Sequence, residues 1–113
     1  MQIEAQKYLR DISQAVDRLA TFTSGKDFED YQADALLRAA TERQFEIVGE
    51  ALGQLARLDP VLAARISEYQ RIIAFRNVLI HGYADIDDRL VWDIIETRLP
   101  KLREQVAALL AAP

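Results

Sequence analysis

The sequence predicts an all-α fold, four main helices plus a short one in an up-and-down bundle, and three observations carry that expectation. Apolar residues recur at three- and four-residue intervals along most of the chain, the pattern of helices that bury one stripe. No segment sustains the two-residue alternation of a half-buried strand. Alanine, leucine, glutamate and arginine dominate while glycine and proline are scarce, which favours helix. With 113 residues and no internal repeat, residues 1–113 are expected to form one domain.

The first helix covers residues 3–22, with Ile3, Leu9, Ile12, Val16 and Leu19 at helical spacings and charges elsewhere. "TSGKD" breaks it: Gly25 suits a helix end, and Asp27 can cap whatever "FEDYQ" forms, a short helical turn or an irregular segment. Residues 34–58 read as one long helix whose core face is Leu37, Thr41, Phe45, Val48, Leu52 and Leu55. Asp59-Pro60 then starts a short helix expected to reach Ile66, because aspartate caps and proline fits the first helical position. Ser67 is the expected cap of a helix that Gly82 stops after His81. Asp87 is the expected cap of the last helical stretch, which Pro100 should kink or divide.

Composition excludes several classes of function. Half of the residues are apolar, against a disordered chain. Without cysteine there is no disulfide scaffold or thiolate site, and with one histidine zinc would lack its usual ligands; neither a metal nor a cofactor is expected. The N-terminus shows no apolar signal region and no run reaches membrane-spanning length, so a cytoplasmic location and no membrane partner are expected. The net charge of −4 argues against broad nucleic-acid binding, and no DNA partner is expected, though a local basic cleft stays open.

Polar residues stand out in "RIIAFRNVLIHGYADID", residues 71–87. Arg76 falls inside the apolar arc of Ile72, Phe75, Leu79 and Ile80. A guanidinium there cannot shed its proton and needs a carboxylate, a phosphate or a wet cleft. Asn77 and His81, four apart, share a neighbouring face. The plain reading pairs Arg76 with an acid on the long helix and leaves His81 as a helix-end residue. On the long helix Glu42, Glu46, Gly49 and Gly53 form a second stripe; close approach of another helix or subunit would explain its glycines, and so would tolerated variation. Asp85, Asp87 and Asp88 read as turn and cap residues sooner than as an ion site, and Trp92 as core or interface packing.

"FRNVLIHGY" resembles the Arg-x4-6-His signature of HEPN-domain ribonucleases, and in its Arg-x4-His-x-Tyr form the toxins called HepT. "ERQFEIVGEAL", "IIAFRNVLIHGYADID" and "VWDIIETRLPKL" follow that group's pattern in order, covering most of the chain from about residue 34, while the first helix matches only in character. The resemblance implies a HEPN-like bundle, a homodimer and an RNA substrate. It makes Arg76 and His81 the catalytic pair and Asn77 their polar support. Tyr83 becomes the acceptor of AMP from a minimal nucleotidyltransferase antitoxin. The function it implies is a metal-independent endoribonuclease toxin cleaving through the ribose 2′-OH. The alternative is a non-catalytic helical module that docks a nucleotidyltransferase.

Overall fold

A computed structural model describes residues 1–112 of the chain, and among them every regular element is an α-helix. The helices are α1 (Ile3–Thr23), α2 (Phe28–Ala33), α3 (Ala35–Leu58), α4 (Pro60–Ala63), α5 (Tyr69–His81), α6 (Asp88–Thr97) and α7 (Leu99–Ala111). The all-α expectation holds with more, shorter pieces. The uncertain "FEDYQ" stretch is the helix α2, and Pro100 divides the last stretch into α6 and α7.

Caps explain most of the boundaries. Asp27 and Asp30 close a reciprocal capping box at α2, with Asp30 N donating to Asp27 Oδ1 at 2.8 Å and Asp27 N to Asp30 Oδ2 at 3.0 Å. Asp34 and Asp59 each accept a backbone N–H at 3.0 Å to start α3 and α4, and Asp87 accepts from Arg89 N and Leu90 N to start α6.

Ser67 breaks the pattern. The chain leaves helical geometry after Ala63, well short of Ile66, and Glu68 takes up a left-handed conformation at φ 56° as the N-terminal neighbour of α5. The reason lies on α7: Gln105 Oε1 accepts from Ser67 N at 2.9 Å, and Gln105 Nε2 donates to Ser67 Oγ at 2.8 Å. The serine is thereby tied to another helix and does not cap α5. The Glu68 carboxylate pairs with Arg71 and Arg98, bracing the same corner.

One apolar cluster joins all seven helices. The long α3 is its axis, with α1, α2, α4 and α5 all packed on it. All six residues expected on its core face are buried. On α1 the buried stripe is Ala5, Leu9, Ile12, Ala15, Val16 and Leu19. Ile3 is 82% exposed, contrary to its assignment to that stripe; six positions before Leu9, it points about 120° away around the helix. Trp92 is buried as expected, its ring tilted against Tyr31 at a centroid distance of 5.5 Å.

Tyr31 itself is fully buried, and its hydroxyl finds no hydrogen-bond partner among the described residues. Burial pushes the phenol's pKa up, reinforced by the nearby Glu42 and Asp88 carboxylates. An unpartnered buried hydroxyl is a net cost. Tyr31→Phe is therefore expected to leave the unfolding free energy unchanged or raise it by about 1 kcal/mol. Urea denaturation checks this, and a loss of more than about 1 kcal/mol would show that the hydroxyl is well used.

Candidate active site

The residues singled out in the sequence lie along α5 and just beyond it. Arg76 is on the flank facing α3, and the two helices approach closely there. A Cβ built on Gly49 of α3 would lie 2.2 Å from Arg76 Cβ and 2.8 Å from its Cγ. Gly49 is buried under the arginine's stem, which accounts for one glycine of the second stripe. The other is different: a Cβ on Gly53 would meet nothing within 4 Å. A glycine inside a helix costs about 1 kcal/mol against alanine, and only at position 49 does a contact explain it.

Past the glycine, the guanidinium has two partners. Arg76 Nη2 lies 2.9 Å from Glu50 Oε2, and Nη1 donates to Asn77 Oδ1 at 3.1 Å. The Nε–H is buried and has no partner among the described residues. The plain reading of the sequence, an acid on the long helix paired with Arg76, is thus realised, and Glu50 is that acid. The sequence does not single it out, although it stands four residues after Glu46 and so borders the glutamate–glycine stripe.

The guanidinium borders a cleft of about 330 Å³ between α1, α3 and α5. Tyr8, Asp11, Arg43, Glu46, Glu50 and Gln54 also line it, and Arg43 pairs with Glu46 at 3.6 Å. More carboxylates than cations face this space.

His81 is the last residue of α5 and is exposed. Five positions after Arg76, it is turned about 140° around the axis and displaced by about 7.5 Å along it. The structure therefore brings Asn77 to Arg76 but carries His81 toward a different side. Gly82 ends the helix by donating its N–H to Val78 O at 2.8 Å. A Cβ at position 82 would crowd that same oxygen at 2.8 Å, so glycine is needed for space, with φ at an ordinary −100°. Tyr83 follows at 81% exposure, its phenol open to solvent.

The other flank of α5 borders an apolar groove of about 290 Å³, with Phe45 and Phe75 against Ile94 and Leu102. Val78 and Leu90 line it and remain exposed. The acidic loop has structural employment: Asp87 caps α6, and Asp88 lies 4.0 Å from Arg38. Among the described residues no group of three His, Asp or Glu side chains is placed to hold a metal ion, and no helix is long and apolar enough to cross a membrane.

Comparison with known proteins agrees with the family resemblance. The family model described as "Ribonuclease HepT-like" matches residues 12–109. That reaches into α1, further toward the N-terminus than the three sequence blocks. "Putative RNase TTE0752" of Caldanaerobacter subterraneus subsp. tengcongensis is 32% identical over 103 residues, 91% of each chain. "Probable ribonuclease HepT" of Thermococcus cleftensis is 31% identical over 85% of this chain and 86% of its own. "Putative RNase MJ1380" of Methanocaldococcus jannaschii is 27% identical over 91% and 94%. No solved structure matches the chain. The protein belongs to the HepT-like ribonuclease family of the HEPN superfamily.

Glu42, in the second stripe, is half-buried beside Asp88. Burial raises its carboxyl pKa above the ordinary range; Asp88 and Glu46 push the same way, and Arg38 opposes them. The folded protein thus holds this proton more tightly than the unfolded chain. The stability linked to it is complete below the ordinary carboxylate pKa and is lost as pH rises through the raised value. Glu42→Gln removes that dependence. Between about pH 4 and pH 7 its urea midpoint should change more favourably with pH than that of the wild type. A less favourable change would contradict the assignment.

Proposed function

We propose that the protein is a toxin that cleaves RNA without a metal ion, acts as a homodimer in the cytoplasm, and is silenced when a minimal nucleotidyltransferase antitoxin attaches AMP to Tyr83. One observation carries this reading: in a chain of the HepT-like ribonuclease family, α5 holds Arg76 in place by Glu50 and Asn77 and ends on an exposed His81.

The chemistry follows from these side chains. His81 takes the proton from a ribose 2′-OH, and O2′ attacks the adjacent phosphorus. The bond from phosphorus to O5′ breaks, leaving a 2′,3′-cyclic phosphate and, after a proton arrives from an imidazolium, a 5′-hydroxyl. Arg76 stabilises the charge gathering on the phosphoryl oxygens. Two proton-transfer groups serve this scheme, and each chain has one histidine. A symmetric dimer supplies two. It also lets the arginine of one protomer work with the histidine of the other, which the angular separation along α5 favours. The exposed Val78 and Leu90 beside the apolar groove support such an assembly.

The second reading, a module that docks a nucleotidyltransferase without cutting RNA, is favoured by the Arg76–Glu50 pair, because an arginine already paired with a carboxylate of its own chain suits a structural role. Labelled RNA in EDTA separates the two. The proposal expects cleavage to 2′,3′-cyclic phosphate ends, a fall of at least about a hundredfold in His81→Ala, and severe impairment in Arg76→Lys, whose ammonium lacks the planar fork. Intact RNA would favour docking, and full activity in His81→Ala would refute the role given to that histidine.

Tyr83 generates a separate expectation. An AMP on its exposed phenol adds a phosphate charge and a bulky nucleoside two residues from His81, repelling RNA and obstructing the histidine. Tyr83→Phe should remain a nuclease and resist silencing by a nucleotidyltransferase with ATP. AMP incorporation and loss of activity in Tyr83→Phe would place the modification elsewhere.

A further inference from the structure

We infer that Gly49 and Glu50 form a two-part seat for Arg76 and are positioning residues for RNA cleavage. The inference rests on Arg76 acting on the phosphoryl group, and it adds two α3 residues to the α5 motif.

The stem is located by Gly49. Nothing larger than hydrogen fits there, since any Cβ would fall 2.2 Å from Arg76 Cβ. An alanine would force α5 away from α3 or twist the arginine off its rotamer. The head is located by Glu50, whose Oε2 takes Nη2 at 2.9 Å while Asn77 takes Nη1 at 3.1 Å. A guanidinium has five N–H donors. Glu50 and Asn77 use two, the buried Nε–H is a third, and one on each terminal nitrogen is left for a phosphate.

Stability does not explain this arrangement. The side chains of Arg76 and Glu50 are 31% and 52% exposed, and ion pairs at that exposure contribute little to folding. Buried Gly49 lies under the arginine, whereas Gly53, four residues on, has open space where its side chain would be. The seat specifies where one cation points. A carboxylate this near could also compete with RNA phosphate for the arginine, and the two roles differ in their kinetics: a positioning residue acts on kcat, a competitor on KM.

The test measures kcat and KM for labelled RNA in EDTA with Glu50→Ala, Glu50→Gln, Gly49→Ala and Gly53→Ala. Glu50→Ala should lose about tenfold or more in kcat at unchanged melting temperature, and Glu50→Gln, which keeps an acceptor oxygen, should recover part of it. Gly49→Ala should lose at least as much, while Gly53→Ala should match the wild type. A Glu50→Ala enzyme with wild-type kcat, or with only a lowered KM, overturns the inference. If Gly49→Ala does not fold, the two Glu50 variants decide. If the wild type does not cleave RNA, the proposed function fails and the seat is judged by 15N spectra of the Arg76 side chain. Separate, slowly rotating Nη signals that merge in Glu50→Ala support it; signals already merged in the wild type refute it.

Discussion

The contact between Gly49 and the stem of Arg76 sets the position of α5, and the placement of the motif depends on it. α3 is the axis of the bundle and α5 lies along it. Where the helices touch, backbone meets side chain with no room for a methyl group. That approach puts the guanidinium beside Glu50 at the cleft, and the helical repeat then fixes the rest. Asn77 falls next to the arginine, His81 emerges at the exposed helix end, and Gly82 turns the chain so that Tyr83 projects into solvent. A shift of α5 by the width of one methyl group would move all of them together.

The two flanks of α5 differ in chemistry. Toward α1 and α3 the cleft is polar and rich in carboxylates, which matches the net charge of −4 and leaves Arg76 as a cation in an acidic setting. Toward α6 and α7 the groove is apolar. Opposite flanks of one short helix thus offer a place for a charged ligand and a place for a protein surface. The proposed dimer, with its catalytic groups gathered across a twofold axis, would use both.

Much of this was legible in the sequence because it depends on local rules. Asp27, Asp59 and Asp87 cap the helices they precede, Pro100 divides the last stretch, and all six residues expected on the core face of α3 are buried, joined there by Gln44, Gly49 and Ala51. What escaped depends on contacts between distant segments or on elements too short to show a period. Six residues are too few for α2 to declare itself by periodicity, although its capping pair is visible once sought. Ser67 was drawn away from its capping role by Gln105, 38 residues later. Ile3 has an apolar side chain at the wrong angle. Glu50 sits four residues after Glu46, so its face was visible, but which acid of α3 meets Arg76 is set by the contact between the two helices and not by local sequence. Within the motif, the family resemblance joined Arg76 and His81 as one pair, whereas the helical repeat turns them to different sides of α5.

That divergence makes a mixed dimer the most direct measurement. Arg76→Ala and His81→Ala chains carrying different tags would be coexpressed, and the heterodimer isolated through both. The shared cleft of that heterodimer keeps one arginine and one histidine, from different protomers, so it should cleave RNA well above either inactive homodimer but below half the wild-type rate, because one of the two histidines is gone. A heterodimer as inactive as its parents, or one that never forms, would contradict the shared site.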